Sequence, residues 1–428
     1  MLQLHYIREN RDLTIAGLER KYFKEATQTV DKVLELDKQR RETQQELDAT
    51  LGQSNGLAKQ IGQLMKDGKK HEAEAAKAQT SQLKIKAKAL EESLKILEAE
   101  QNALLVQLPN LPHASVPAGR TPEENVEIYR WGNAPTLPEG AQPHWELIKK
   151  YARIGGPIID FELGNKISGA GFPVYRGKGA KLQRALIQFF LDEAERAGYQ
   201  EIQPPILVNA DSGFGTGQLP DKEGQMYHDA ADDLYLIPTA EVPLTNLYRD
   251  VIVSESELPV KMAGHTPCFR REAGSWGAHV RGLNRLHQFD KIEIVQIRKP
   301  EESYQALEEM VEHVKGLLQK LELPFRIIRL CGGDMSFASA LTYDFEVWSA
   351  AQGRWLECSS VSNFETFQAN RLKLRHKVEG KTQLLHTLNG SALALPRIVA
   401  ALLENNQTPD GINIPEVLRP YCRFDKID

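Results

Sequence analysis

From Thr27 to Gln107 the chain has no proline and consists mostly of strong helix formers, interrupted only near Met65-Lys66-Asp67-Gly68-Lys69-Lys70. This pattern predicts two long helices joined by a turn. In the second, Ala76, Thr80, Leu83, Ala87, Leu90, Leu94, Leu97, Gln101, Leu104 and Leu108 alternate in steps of four and three, the spacing of a coiled-coil seam. In the first, Val30, Val33, Leu47, Leu51, Ala58, Ile61 and Met65 follow the same spacing, but Asp37, Arg40 and Gln44 interrupt it. Its middle should therefore pack less tightly. At about 1.5 Å per residue, a helix of roughly 35 residues extends on the order of 50 Å. An antiparallel hairpin of two would project from a compact domain like a lever.

The stretch from Leu108 to Pro122 is rich in proline and small residues, which end helices and mark linkers. It divides the chain into a helical unit, 1–115, with the hairpin at about 27–107, and a second unit, 116–428. In the second unit the apolar runs 201–208, 234–238, 289–297 and 325–330 read as strands, and 182–197 and 301–321 as helices. Several strands follow one another without an intervening helix, which favours an α+β fold with a largely antiparallel sheet over a doubly wound one. Neither a P-loop nor a GxGxxG fingerprint occurs.

Composition narrows the possibilities. The 428 residues carry a net charge of -5, so any affinity for nucleic acid must come from a local basic surface. Such a surface exists: between Lys59 and Lys88, eight lysines (59, 66, 69, 70, 77, 84, 86 and 88) outnumber Asp67, Glu72 and Glu74. The outer half of the hairpin is thus either a solvated coiled coil or an RNA-binding arm. Residues 1–20 are charged throughout, and no stretch approaches the roughly 20 apolar residues of a membrane span, so a cytoplasmic location is expected. Cys268, Cys331, Cys358 and Cys422 are widely scattered, which suggests buried thiols rather than disulfides or a zinc site. His228, His279, His287 and His386 are also scattered, and none reads as a ligand.

The densest chemistry lies between Thr266 and Glu293, where a strand with arginines, a glycine-rich loop and a returning strand can surround a polyphosphate. Arginine suits this because its planar fork bonds phosphate oxygens bidentately and stays charged when partly buried. Further on, Leu388-Asn-Gly-Ser-Ala-Leu-Ala-Leu-Pro-Arg397 places one cation at the start of an apolar helix. These segments, with Gln203-Pro-Pro-Ile-Leu-Val208 before them, resemble motifs 2, 3 and 1 of the class II aminoacyl-tRNA synthetases. Ile237-Pro-Thr-Ala-Glu-Val-Pro243, Trp355-Leu-Glu-Cys-Ser-Ser-Val-Ser-Asn363 and the N-terminal hairpin are similar to the seryl branch, and the resemblance spans nearly the whole chain.

The resemblance implies an antiparallel catalytic sheet flanked by helices, a homodimer, and a bacterial-type enzyme that activates L-serine with ATP and transfers it to tRNA(Ser), with tRNA(Sec) left open as a further acceptor. It implies catalytic roles for Arg270, Glu272 and Arg397. Arg270 would bind the α-phosphate and the serine carboxylate, Glu272 the adenine amino group, and Arg397 the γ-phosphate side. Arg271, Leu286, Cys358 and Ser359 would complete the ATP site, with adenine stacked on Phe289. Glu357 and Ser360 would hold Mg²⁺, which prefers oxygen ligands. Thr239, Ala240, Glu241, Arg270, Glu293, Asn389 and Ser391 would bind serine, whose ammonium and hydroxyl need carboxylate and hydroxyl partners. Lys66, Lys69 and Lys70 would touch tRNA, reached by one subunit's arm while the acceptor end enters the other's site.

Three departures stand out: Ala392 and Pro396 replace glycines common in motif 3, and Arg271 stands where motif 2 often has a small residue. Two rivals remain in view, an amino acid:carrier-protein ligase and a catalytically inactive RNA-binding paralogue. Relatives of the first lack the arm; retention of Arg270, Glu357 and Arg397 speaks against the second.

Overall fold

The structure, a computed structural model, describes residues 1–151, 156–272 and 280–428. The glycine-rich loop at 273–279, including His279, lies outside the described residues. Two compact units divide at Pro109 and Asn110, within the proline-rich stretch.

The first unit opens with short helices α1 (Leu4–Glu9) and α2 (Arg11–Arg20), followed by α3 (Ala26–Lys66) and α4 (Lys70–Leu105). With 41 and 36 residues, α3 and α4 are each more than 50 Å long at about 1.5 Å per residue. Gly68, at φ 76°, makes the left-handed turn between them. The seam of α4 is buried or half-buried from Ala76 to Leu108, as its spacing predicts.

On α3 the inner seam is Val30, Val33, Leu36 and Asp37, and the outer seam runs through Leu47, Thr50, Ser54, Leu57, Ile61 and Leu64. This corrects the expected pattern: Leu51, Ala58 and Met65 face solvent. Small polar Thr50 and Ser54 fill the narrow contact against α4, and the spacing of apolar residues alone did not count them. Asp37 is fully buried yet satisfied, with Arg8 at 3.1 Å, Arg40 at 3.3 Å and Arg41 at 2.9 Å. Gln101 Nε2 donates across the seam to the Val33 carbonyl at 3.3 Å. The polar middle of α3 is thus an ion-paired anchor.

The second unit is built on an eight-stranded sheet of β1 (Val126–Trp131), β2 (Gln200–Glu201), β3 (Val260–Phe269), β4 (Gln288–Arg298), β5 (Phe325–Arg329), β6 (Leu341–Ser349), β7 (Arg354–Asn363) and β8 (His386–Ala394). Their spatial order is β1-β5-β6-β7-β8-β4-β3-β2. Every pair is antiparallel except β2 with β3. Helices α5 (His144–Lys150), α6 (Gly177–Arg196), α7 (Glu241–Asn246), α8 (Ser303–Lys320), α9 (Thr366–Leu372) and α10 (Leu395–Asn405) accompany it. The fold is α+β.

The expected strand at 201–208 is two short pieces, Gln200–Glu201 and Leu207–Val208, because Pro204 and Pro205 supply no N–H to a ladder. Alternation along β4 divides the sheet's two faces. Ile292 and Ile294 enter the main core with Phe189, Phe190, Phe325 and Phe345 from α6, β5 and β6, while Val295 and Ile297 join a smaller core with Ala240, Leu244 and Leu372. Lys291 and Glu293 share the second face, where the strand leaves that smaller core. All main-core residues belong to the second unit, so it has a core of its own.

Candidate active site

The site lies over the ends of β3, β4, β7 and β8 and the N-termini of α7 and α10. Strands β3 and β4 pair from Phe269↔Gln288 to Val260↔Ile297, so the residues flanking the loop come together. Arg270 N donates to the His287 carbonyl at 3.0 Å, and the Arg270 guanidinium lies 5.3 Å from the centre of the Phe289 ring, a cation–π distance. Its Nε donates to the Pro238 carbonyl at 3.4 Å, which joins the strand to the Thr239-Ala240-Glu241 turn.

Beyond it, Arg271 N donates to the Gln225 carbonyl at 2.9 Å and its guanidinium lies 5.7 Å from the Tyr227 ring. Glu272 occupies the left-handed region at φ 50°, rare for a side-chain-bearing residue, and its carboxylate accepts from Arg285 Nη1 at 2.7 Å. Leu286 is buried in the main core, so any contact it makes with a nucleotide runs through its main chain.

Arg397 projects from the first turn of α10, which starts at Leu395 with Pro396 in its opening turn, where proline's missing N–H costs nothing. Its Nε donates to the Asn284 carbonyl at 3.1 Å and its Nη1 to the Glu357 carbonyl at 2.6 Å; the Glu357 carboxylate is 3.8 Å away. One arginine therefore touches both β7 and the turn that leads into β4. On β7 a bulge sets Cys358 into the main core, leaves Glu357 exposed, and turns Ser359 so that its hydroxyl donates to the Ser391 carbonyl at 2.5 Å.

Ser360 stands opposite Asp344 on β6, with a hydrogen bond between their side chains. Burial and the neighbouring Glu357 carboxylate push the Asp344 carboxyl well above its usual range, and its Oδ1 has no hydrogen-bond partner among the described residues. This all-oxygen set suits Mg²⁺. Among the described residues no group of three His, Cys, Asp or Glu could hold a metal unaided, so an ion here needs further oxygens from a substrate or water.

A second group of polar residues, buried together, is carried by α7, β4 and β8 and the turn before α7. Glu293 pairs across strands with Ser391, and Ser391 Oγ donates to the Glu293 carboxylate at 3.4 Å. Lys291 Nζ forms an ion pair with Glu293 and donates to Thr239 Oγ1 at 2.9 Å. Glu241 N donates to the same oxygen at 3.2 Å. The Glu241 carboxylate accepts from Gln368 Nε2 at 2.6 Å, and the Gln368 carbonyl accepts from Thr387 Oγ1 at 2.7 Å. Burial first, and then Glu293, push the Glu241 carboxyl up to about 7, against Gln368, Lys291 and Asn389. Ala240 belongs to the smaller core, and Asn389 lies buried on β8.

Sequence reasoning named neither Lys291, Gln368, Asp344 nor Arg285. It also missed a network behind the site. His144 Nε2 accepts from Leu283 N at 2.8 Å, so its Nδ1 carries the hydrogen it donates to Glu404 at 2.7 Å. Gly282 permits this approach: at φ 69°, a Cβ there would come within 2.2 Å of His144 Nε2. Glu404 also accepts from Ser349 and, at 3.0 Å, from Gln352, which in turn accepts from Asn284 at 3.0 Å. Burial works to raise the Glu404 pKa, but these bonds outweigh it and hold the group below its ordinary range. The base of the motif 2 loop is thus tied to the helix that carries Arg397.

An antiparallel sheet with a motif 2 hairpin and a motif 3 arginine over its ends defines a class II aminoacyl-tRNA synthetase. Residues 225–406 match the model of the tRNA synthetase class II core domain (G, H, P, S and T), and residues 1–112 that of the seryl-tRNA synthetase N-terminal domain. A serine–tRNA ligase of Salinibacter ruber is 51% identical over 93% of this chain and 92% of its own, and one of Acidovorax ebreus is 47% identical over 98% of each. A crystal structure of a Pyrococcus horikoshii seryl-tRNA synthetase complexed with ATP superposes with a TM-score of 0.93 at 33% identity, covering 100% of this chain and 99% of that one. The chain belongs to the seryl-tRNA synthetase family.

Proposed function

We propose that this chain is a serine–tRNA ligase, which forms seryl-adenylate from L-serine and ATP and transfers the seryl group to the 3′ end of tRNA(Ser). The observation that carries this reading is the buried cluster of Thr239, Glu241, Glu293 and Ser391, joined to Arg270 through the Pro238 carbonyl. It offers carboxylates to an ammonium and hydroxyl groups to a small polar side chain. Alanine would leave these groups unpaired, and threonine would need room for an extra methyl.

In the first step the serine carboxylate, already ionised, attacks the α-phosphorus, and pyrophosphate leaves; no general base is needed. Arg270 steadies the α-phosphate and the carboxylate, Arg397 the γ-phosphate side, and adenine lies on Phe289 with its amino group toward Glu272 and the main chain at Leu286 and Arg271. The protein contributes position and charge. Glu357 and Ser360, with Cys358 and Ser359 shaping the bulged strand beneath them, would hold a Mg²⁺ ion. Bound there, the ion would supply positive charge to offset that of the phosphates.

In the second step a hydroxyl of the terminal tRNA ribose attacks the adenylate carbonyl. Lys66, Lys69 and Lys70 are exposed at the hairpin tip, and together with the basic outer half they form the tRNA-binding surface. The functional unit is a homodimer in the cytoplasm, in which one subunit's arm serves its partner's site. No helix among the described residues is long and apolar enough to cross a membrane. Serine-dependent exchange of labelled pyrophosphate into ATP is the test: exchange with serine and not with alanine is expected, and its absence with serine overturns the reading.

A further inference from the structure

Lys291 has no role in the reading above, yet it lies in the middle of the amino acid pocket, only 6% exposed, two positions before Glu293 on the same face of β4. A buried ammonium is costly unless paired, so its position needs a reason. Its Nζ pairs with Glu293 and donates to Thr239 Oγ1 at 2.9 Å.

That second contact fixes the polarity of the pocket. A threonine hydroxyl accepts two hydrogen bonds and donates one. Thr239 Oγ1 already accepts from Lys291 and, at 3.2 Å, from Glu241 N. Only its O–H remains, and among the described residues that hydrogen has no acceptor. Thr239 can therefore only donate to a ligand. The charges add a second constraint: Glu241 and Glu293 supply two carboxylates, and Lys291 balances one of them. One carboxylate is left for one ligand ammonium.

We propose that Lys291 is a specificity-determining residue of the pocket, a resident counter-ion that cancels one carboxylate and turns Thr239 into a donor, so that the site accepts an amino acid with a single ammonium and an oxygen-bearing side chain and rejects one carrying a second ammonium. This rests on the serine-activating function proposed above and names the feature that excludes cationic analogues of similar size. The discriminating ligand is L-2,3-diaminopropionate, which has an amine where serine has its hydroxyl. In the native pocket its side-chain ammonium faces a donor and another ammonium. Without Lys291 it takes the vacated place beside Glu293.

The experiment measures pyrophosphate–ATP exchange by the full chain and by Lys291→Met, with serine and with L-2,3-diaminopropionate at neutral pH. Serine-dependent exchange by the native chain tests the underlying reading separately; if that fails, the function is wrong and not merely the role of Lys291. In Lys291→Met the serine kcat/KM falls at least about ten-fold while the KM for ATP stays within about two-fold, and the diaminopropionate-to-serine ratio of kcat/KM rises at least about ten-fold. General damage to the fold would weaken both amino acids together. A ratio unchanged within about two-fold, or serine and ATP KM values that rise in proportion, overturns the proposal. Should Lys291→Met not fold, Lys291→Gln, which keeps a donor for Thr239 and loses the charge, carries the same criterion: the ratio must rise, and an unchanged ratio refutes it.

Discussion

The two units of this chain bury polar groups in opposite ways. In the hairpin, buried Thr50, Ser54, Thr80 and Gln101 are neutral and scattered along the seam, and buried Asp37 is closed off by Arg8, Arg40 and Arg41. In the catalytic unit, charged Glu241, Lys291, Glu293 and Glu404 are buried in concentrated groups at one end of the sheet. A buried group that only serves packing has its valences closed within the protein, as Asp37 has. In the catalytic unit Thr239 Oγ1 accepts from two donors and keeps its own hydrogen unused, and Asp344 Oδ1 has no hydrogen-bond partner among the described residues. The contrast separates scaffolding from chemistry without reference to any motif.

The largest break in this contrast is expected from Arg270→Ala. Removing the cation that lies over Phe289, and to which the proposed function gives the α-phosphate, should lower exchange by at least about 10²-fold, with the melting temperature little changed. Wild-type-like exchange would remove Arg270 from the chemistry. Next comes Glu404→Ala, which strips His144, Ser349 and Gln352 of their common acceptor. Breaking so buried a pair should cost about 3 kcal/mol in denaturant unfolding. Loss of less than about 1 kcal/mol would mean that the network is not structural.

A subtler effect is pH dependence. Glu241 has its pKa raised to about 7, from 4.5, by burial and Glu293, so the folded chain holds a proton there that the unfolded chain has released. Its contribution to stability therefore declines as pH rises from about 4.5 through about 7. Binding an ammonium favours the carboxylate and releases that proton. The KM for serine should thus rise as pH falls below about 7, by up to about ten-fold per unit. Glu241→Gln should flatten that profile, and a profile with the same slope in the variant would assign the titration elsewhere.

The smallest effect belongs to the arm. Replacing exposed Lys66, Lys69 and Lys70 with alanine should raise the KM for tRNA and reduce the magnitude of its log–log salt slope by about 2, leaving exchange untouched. An unchanged salt slope would place the phosphate contacts elsewhere on the hairpin.

The two units also differed in how much their sequences disclosed. The seam of α4 was legible because its contacts repeat at a short, fixed interval, whereas on α3 Thr50, Ser54, Leu57 and Leu64 take the places expected for Leu51, Ala58 and Met65. The sheet's long strands were legible as apolar runs, except where Pro204 and Pro205 split one. The motif arginines and the residues proposed to bind serine were named by resemblance. Their supports could not: Gln368 reaches Glu241 from 127 positions away, and His144 meets Glu404 across 260. Lys291 was hidden for another reason. The strand was legible as an apolar run, but nothing in the sequence marks Lys291 on it as enclosed; its burial and its contact with Thr239 do.

The central claim is a division of labour between the units, and it is most directly tested by replacing residues 27–107 with a short flexible linker and measuring two reactions on the same preparation. Because the catalytic unit has its own core, serine-dependent pyrophosphate exchange should persist within a few-fold, about the scatter expected of a distant change, while charging of tRNA falls to background. Loss of exchange with charging retained, or equal loss of both in a folded protein, would contradict it.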